Sequence, residues 1–168
     1  PVGTTEKVSS YIAKNTKIAL KDLFISYCPE RVLPGNILKE LIINDRVIGG
    51  LTSQSSIKAK KFYKKFCDGK LHLTNSRTAE MVKLTENAYR DINIAFANEI
   101  SMVCDKFDID VRTLIKFSNH HPRVNILQPG CGVGGHCIAI DPWFISSQAQ
   151  DITPLIQTAR KVNLNKTK

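Results

Sequence analysis

The sequence predicts part of a parallel α/β sheet, followed by a mainly α-helical domain built around one long helix. Two observations support this division. Short apolar runs alternate with helical patterns over the first 76 residues, which is typical of a parallel sheet with crossover helices. No Gly or Pro interrupts the chain from Thr78 to Phe107, which indicates one long helix. We therefore expect two domains, residues 1–76 and 77–168.

The first two predicted elements are a helix and a strand. Residues 4–17 are expected to be helical, because a Thr stands at the start and Glu6 lies in the first turn. The apolar run LFISYCPE, residues 23–30, predicts a short strand whose carboxyl end carries Glu30 and Arg31. Ligands of parallel α/β sheets gather at the carboxyl ends of the strands, so Glu30 is a candidate site residue.

Two more strands and a helix complete the predicted sheet segment. The runs RVIGG, residues 46–50, and KLHLTN, residues 70–75, are short and apolar in the manner of strands. Residues 53–67 between them have the apolar spacing of a helix. This order of strand, helix and strand favours parallel pairing.

The second domain is expected to consist of the long helix and three shorter ones. Apolar residues occupy several faces of the long helix, which predicts that it is buried from several sides; they include Leu84, Ala88, Ala95, Phe96 and Val103. The shorter helices are expected at residues 111–119, 141–148 and 153–165.

Charge and cysteine content limit the class of protein. The formal net charge is +9. Much of it lies in IKAKKFYKKFCDGK, where Ile57, Phe62 and Phe66 mark an apolar helix face and the lysines are expected in solvent. We therefore expect no nucleic-acid partner, and a basic balance would equally suit an anionic substrate. Five cysteines without an export signal favour reduced thiols in the cytoplasm. No apolar run approaches the ~20 residues of a membrane span, so no membrane association is expected.

The stretch PGCGVGGHCIAIDPW, residues 129–143, contains the G-x-G-x-x-G spacing of a dinucleotide fingerprint from Gly130 to Gly135. That fingerprint requires a strand before it and a long helix after it. Pro142 follows too soon for a crossover helix, so no cofactor site is expected here. The cysteine and histidine spacings do not match a zinc site, so no metal is expected either. The remaining interpretations are a turn that presents Cys137 as a nucleophile, or a buried structural cysteine.

The long helix and the predicted strand end supply polar residues that suit a nucleophile. Lys83 and Asn87 are four residues apart and project from one helix face. In a cleft they would stabilise an oxyanion and favour a thiolate, whereas otherwise Lys83 extends into solvent. Asp141 would order water, or simply begin a helix. Glu30 would act as an acid or base, or pair with Arg31.

Four stretches taken together resemble the nucleotide-sugar dehydrogenase family. They are CPERVLPGN, NDRVIGG, TAEMVKLTENAYRDINIAFANE and HPRVNILQPGCGVGGHCIAIDPWF, and they keep the order of the family. The resemblance implies the last part of a Rossmann domain, a central dimerisation domain, NAD as cofactor, a UDP-sugar substrate and a homodimer. Within the family it points to members that oxidise UDP-N-acetyl-D-mannosamine, because Pro34 and Ile140 replace residues that are charged in the UDP-glucose branch. It also implies a fragment that is inactive alone.

The resemblance assigns a role to each candidate residue. Cys137 would attack an aldehyde to form a thiohemiacetal, which is oxidised to a thioester and hydrolysed. Lys83 and Asn87 would stabilise the oxyanion, Asp141 would position or activate water, and Glu30 would assist proton transfer. Substrate contacts are implied for Arg31, Val32, Leu33, Arg123 and Gly134, with Arg123 reaching across a subunit interface. No residue here is assigned to the cofactor.

Three alternatives remain open. The substrate could be another UDP-N-acetylhexosamine or a UDP-hexose, because no residue here can be shown to read the C2 configuration. The chain could serve chiefly as a dimerisation scaffold through its long helix. An unrelated cysteine hydrolase would require a His imidazole within hydrogen-bonding reach of the Cys137 sulfur.

Overall fold

The computed structural model describes residues 1–33 and 35–166. Pro34, which distinguishes the sequence from the UDP-glucose branch, lies outside the described residues. Contacts divide the chain into two compact units, Pro1–Lys83 and Leu84–Lys168. None of the helices in the described ranges is both long enough and apolar enough to cross a membrane.

Residues 1–33 and 35–83 form three α-helices, one 3₁₀ turn (Leu20–Asp22), three strands and the start of a fourth α-helix. In chain order the α-helices and strands are α1 (Thr4–Asn15), β1 (Ser26–Tyr27), α2 (Ile37–Ile43), β2 (Arg46–Gly50), α3 (Ser53–Tyr63), β3 (Leu71–Asn75) and α4 (Ser76–Lys106). The predicted helices and strands of this region are present, and α2 is an element that the sequence analysis did not predict.

The sheet has the strand order β1-β2-β3. Strands β2 and β3 are parallel as predicted, with Arg46 opposite Leu71. Strand β1 is antiparallel to β2, with Ser26 opposite Gly50, and it pairs over two residues instead of the predicted eight. The expectation of a parallel pairing is wrong for β1. The segment between β1 and β2, which includes α2, returns the chain to the carboxyl end of β1, and β2 begins there and runs in the opposite direction.

Close packing joins the sheet to the helices around it. Ile48, in the middle of β2, is fully buried. A Cβ atom on the neighbouring Gly49 would lie 2.5 Å from the Asn75 carbonyl oxygen, so only glycine allows this approach. The Ser56 hydroxyl accepts from the Gly50 N–H at 2.9 Å and donates to the Thr74 carbonyl at 3.1 Å. This serine therefore ties α3 to both parallel strands.

The start of α1 is held by a side chain far along the sequence. No local side chain caps this helix. Instead the buried carboxylate of Glu80 accepts hydrogen bonds from the Gly3 N–H at 2.6 Å, the Thr5 N–H at 2.7 Å and the Thr5 hydroxyl at 2.6 Å. The free N–H groups at a helix start need such acceptors. Glu80 thereby anchors α1 on the first part of α4.

The second unit contains the rest of α4 and three shorter helices, α5 (Val111–Ser118), α6 (Asp141–Ser146) and α7 (Pro154–Asn165). All three begin within a residue of the predicted positions. The Asp110 carboxylate caps α5 by accepting from the Arg112 and Thr113 N–H groups at 3.2 and 3.1 Å. These contacts hold the pKa of Asp110 below its usual value, with the Thr113 side chain as the largest cause.

Helix α4 is not buried on every side within this chain. Leu84, Ala88 and Ala95 are buried as expected. Phe96 and Val103, which the sequence analysis also placed among the buried apolar faces, are 51% and 44% exposed. The prediction of burial from several sides is therefore wrong for this face, because no element within residues 1–33 and 35–166 covers it.

Candidate functional site

In the first unit, Glu30 lies in the segment that follows β1. One carboxylate oxygen accepts from the Arg31 N–H at 2.7 Å, and the other lies 3.8 Å from Nη1 of the buried Arg46. Arg46 is the first residue of β2, so Glu30 lies at the amino end of β2 and not at a carboxyl edge shared by parallel strands. The expectation that it would lie at such an edge is wrong, because β1 is antiparallel. A cavity of about 510 Å³, lined by Gly50, Thr52 and Asn75 among others, occupies the carboxyl edge of β2 and β3.

Lys83, also in the first unit, contacts the same segment. Its Nζ atom donates a hydrogen bond to the main-chain carbonyl of Glu30 at 3.0 Å. The side chain is half-buried rather than extended into solvent. An ammonium group fixed at a main-chain carbonyl keeps two further N–H donors for a ligand.

In the second unit, Cys137 lies in the irregular segment between α5 and α6. Gly132 and Gly135 have φ angles of 111° and 85°, which favour glycine. The N–H groups of Ile140 and Asp141 donate to the Cys137 carbonyl at 3.1 and 2.9 Å, which closes a turn just before α6. Cys137 itself is exposed, so the interpretation as a buried structural cysteine does not apply.

The turn that carries Cys137 is connected to α4 by a side-chain hydrogen bond. Asn87 Nδ2 donates to Asp141 Oδ2 at 2.5 Å. Asn87 is 5% exposed, whereas Asp141 is half-buried. A carboxamide nitrogen carries two protons, so the bond to Asp141 leaves one for another acceptor. Asn87, Asp141 and the turn of Cys137 are therefore brought together, as the sequence analysis expected.

The residues expected to contact substrate lie on two segments. Arg31, Val32 and Leu33 follow Glu30 in the first unit, and the Leu33 N–H donates to a Glu40 carboxylate oxygen at 2.9 Å. Arg123 and Gly134 lie in the second unit, between α5 and α6, and both are exposed.

The glycine-rich segment does not have the geometry of a dinucleotide cradle. No strand precedes Gly130 in this segment, and the six-residue α6 begins only at Asp141. A cradle needs a strand, a tight turn and a helix whose N–H groups face the pyrophosphate. Residues 130–135 therefore do not fit NAD. Within residues 1–33 and 35–166, no group of His, Cys, Asp or Glu is arranged to hold a metal ion, and the contacts described there include no imidazole hydrogen-bonded to the Cys137 thiol.

One charged residue near the candidate site escaped the sequence analysis. Arg46 is 5% exposed, and its guanidinium lies 4.9 Å from the centroid of the Tyr63 ring. Burial raises the pKa of the Cys28 thiol nearby, and hydrogen bonding with Tyr63 and the charge of Arg46 oppose this shift. The sequence did contain a signal for this residue, since an arginine at the start of an apolar strand needs a partner for its charge once the strand is buried.

Comparison with known proteins identifies the family. Residues 77–165 match the model of the central domain of the UDP-glucose/GDP-mannose dehydrogenase family, and residues 1–67 match the model of its NAD binding domain. Together the two matches define the class of protein, one that combines the NAD binding domain and the central domain of this family. The chain belongs to the UDP-glucose/GDP-mannose dehydrogenase family, which confirms the resemblance, the fold class and the cofactor predicted from the sequence.

Individual relatives are similar over almost the whole chain. A UDP-N-acetyl-D-mannosamine dehydrogenase of Campylobacter jejuni is 55% identical, over 99% of this chain and 43% of the relative. An NDP-N-acetyl-D-galactosaminuronic acid dehydrogenase of Ralstonia solanacearum is 53% identical, over 97% of this chain and 40% of the relative. A solved UDP-D-ManNAc dehydrogenase of Pyrococcus horikoshii superposes with a TM-score of 0.93 at 44% identity, over 99% of this chain and 40% of that one. The chain thus spans about two fifths of the length of these relatives.

Proposed function

We propose that the chain is the part of an NAD-dependent nucleotide-sugar 6-dehydrogenase that carries its nucleophile. The substrate is UDP-N-acetyl-D-mannosamine, which the enzyme oxidises by four electrons to UDP-N-acetyl-D-mannosaminuronate. The relatives' names support the reaction, and one observation supports the chemistry. An exposed Cys137 lies in a turn that the hydrogen bond between Asn87 and Asp141 joins to the long helix.

Bound NAD supplies the hydride acceptor for each of the two oxidations. The first removes a hydride and a proton from the C6 alcohol and leaves an aldehyde. The Cys137 thiolate adds to the aldehyde carbon, which forms a C–S bond and turns the carbonyl oxygen into the oxyanion of a thiohemiacetal. Loss of a second hydride gives a thioester. Water then breaks the C–S bond, which yields the acid and returns the thiol.

Four further side chains are proposed to act on these intermediates. Asn87 donates its second Nδ2 proton to the oxyanion, and the Lys83 ammonium contributes positive charge. Asp141, whose carboxylate is oriented by Asn87, positions or activates the water that attacks the thioester. Glu30 moves a proton during that hydrolysis, which suits its exposed carboxylate.

The remaining assignments complete the proposal. The UDP-sugar is held by Arg31, Val32, Leu33, Gly134 and by Arg123 from a second subunit. The enzyme acts in the cytoplasm as a homodimer. The division into residues 1–76, from the NAD-binding domain, and 77–168, from the central domain, belongs to the same proposal.

The role of Cys137 is tested by serine substitution in the full-length protein. We expect Cys137→Ser to reduce acid formation at least ~10³-fold while UDP-sugar binding persists, because a serine hydroxyl is a far weaker nucleophile at neutral pH. Cys131→Ser is the matched control, since Cys131 is exposed in the same segment and has no proposed role. Turnover that survives in Cys137→Ser would exclude the thioester route.

The homodimer has support in an exposed apolar stripe on α4. Tyr89, Phe96 and Val103, spaced by seven residues, are 68%, 51% and 44% exposed. Residues at this spacing lie on one helix face. We expect light scattering after size exclusion to give a dimer that Phe96→Glu dissociates. Tyr11→Glu, at an exposed tyrosine of α1, is the control and should leave the dimer intact. A monomer before substitution would contradict this assignment.

Two further measurements test the reaction. We expect no NAD reduction by the 168 residues alone, since they span only about two fifths of the length of the relatives, and detectable turnover by them would refute that expectation. The Ralstonia relative favours one alternative, a different UDP-N-acetylhexosamine. Comparing kcat/KM for UDP-N-acetylmannosamine and UDP-N-acetylgalactosamine decides between the proposed substrate and this alternative.

A further inference from the structure

A buried chain of polar side chains links α7, α4 and the glycine-rich segment of the second unit. Arg160 Nη1 donates to Asp91 Oδ1 at 2.6 Å, and Asn163 Nδ2 donates to the same oxygen at 2.8 Å. Asn98 Nδ2 donates to Asn163 Oδ1 at 2.9 Å, and the Gly130 N–H donates to Asn98 Oδ1 at 2.9 Å. Asp91, Asn98 and Asn163 are fully buried, and Arg160 is 1% exposed.

Every hydrogen bond in this chain points toward Asp91, and the reason is chemical. A carboxylate only accepts, so Asn163 must turn its NH₂ group toward Asp91 and its oxygen toward Asn98. Asn98 must then offer its NH₂ group to Asn163 and its oxygen to the glycine-rich segment. The end of the network at the glycine-rich segment is therefore an acceptor, the Asn98 oxygen, and only a donor such as the Gly130 N–H can pair with it.

The Gly130 N–H is the first main-chain group of the segment that presents Cys137. Gly130 itself is exposed, whereas its acceptor is not. Two of the glycines between it and Cys137 adopt positive φ angles, and residues 130–137 lie in neither a helix nor a strand, so the segment has little support from secondary structure. A fixed point at Gly130 limits the range of positions that Cys137 can take.

We propose that Asn98 is a positioning residue for the nucleophile. Its carboxamide fixes Gly130, and the carboxylate of Asp91, acting through Asn163, fixes the orientation of that carboxamide. Asn98 contacts neither substrate nor thiol. The proposal rests on the proposed role of Cys137, and it adds that α7 helps to set where the thiol stands.

The first test replaces Asn98 in the full-length protein. Asn98→Leu keeps the branched shape of the side chain but removes both hydrogen bonds. We expect the peptide that covers residues 126–137 to exchange its amide hydrogens at least ~10-fold faster, because Gly130 loses its buried acceptor. We expect kcat to fall ~10- to 100-fold while KM for the UDP-sugar changes less than ~3-fold, as misplaced reacting groups produce. Ile115→Val, at a fully buried residue of α5 outside the network, is the control for general loss of stability.

A second pair of variants leaves the core untouched. Gly130→Pro removes the N–H donor, whereas Gly130→Ala retains it, and a Cβ at this position meets no atom within 4 Å. We expect Gly130→Pro to reproduce the loss of kcat and Gly130→Ala to behave like the unchanged protein. This pair decides the proposal if Asn98→Leu does not fold.

The outcomes separate this proposal from the proposed function. Unchanged exchange of residues 126–137 and unchanged kcat in Asn98→Leu and Gly130→Pro would overturn the positioning role, as would equal losses in Ile115→Val. A change in KM as large as the fall in kcat would also overturn it. Failure of the proposed function has a different sign, which is turnover that persists in Cys137→Ser. The hydrogen-exchange measurement does not depend on that result.

Discussion

Breaking the buried ion pair between Asp91 and Arg160 should be among the most destabilising single changes in the second unit. The two side chains are 1% and 2% exposed, and their ionic contact joins Oδ1 and Nη1 at 2.6 Å. Arg160→Met keeps the aliphatic volume but leaves a carboxylate buried with one side-chain donor, Asn163. Removing one partner of a buried pair costs about 3–5 kcal/mol. Because Asn163 still donates to Asp91, we expect a value near the lower end, about 3 kcal/mol.

The measurement is urea unfolding of the 168-residue chain at 25 °C, followed by tryptophan fluorescence. Trp143 is the single tryptophan of the chain and lies in α6, which packs against the helix that carries Arg160. Lys161→Met, at the exposed neighbouring residue, is the matched control and should change the free energy of unfolding by less than about 0.5 kcal/mol.

A double variant tests the reasoning further. Asp91→Leu combined with Arg160→Met removes both charges, so it should cost about 1–3 kcal/mol less than the sum of the two single changes. Two results would refute the claim that the buried pair is coupled. One is a loss of unfolding free energy below about 1 kcal/mol in Arg160→Met, and the other is a loss in the double variant that equals the sum of the two single losses within about 0.5 kcal/mol.

Three further predictions concern packing, pH and reactivity. Gly49→Ala should destabilise the first unit by about 1–3 kcal/mol in urea unfolding, because the added Cβ atom collides with the end of β3 and the start of α4; an unchanged midpoint would contradict the packing. Asp110 has a lowered pKa, so its cap stabilises α5 above the unfolded-state pKa and is lost as pH falls through the lower folded value. An NMR titration should find that folded value below the one for an aspartate in an unfolded chain, and Thr113→Val should raise it. Burial raises the pKa of the Cys28 thiol, so iodoacetamide should modify the exposed Cys137 before Cys28, and the reverse order in peptide mass spectrometry would contradict this expectation.

Elements whose apolar residues have a regular spacing, or whose ends are marked by capping or helix-breaking residues, were predictable from the sequence. Helix α4 has no Gly or Pro, and the start of α5 was found within a residue of its position. Helix α2 was missed because ILKELII is short and follows a Pro-Gly pair, which is typical of a loop. The direction of β1 could not be predicted, because it depends on where the chain lies when β2 begins and not on the composition of either strand.

The candidate site was predictable in part for a similar reason. Cys137, Asn87 and Asp141 could be selected because glycines and helical spacing mark them. The network around Asn98 and Asn163 could not, because asparagine is usually exposed and only tertiary contact shows that these two are buried and paired. The spacing of apolar residues along a helix therefore does not reveal which of its polar residues are buried.

The contact between Glu80 and the start of α1 has a consequence for the order of folding. The residues that it joins are 75 to 77 positions apart, so the first turn of α1 obtains its acceptors only after a long loop has closed. During synthesis that turn leaves the ribosome well before Glu80 does. Helix α1 should therefore acquire its amino end late, and Glu80→Gln should speed unfolding while changing the refolding rate little.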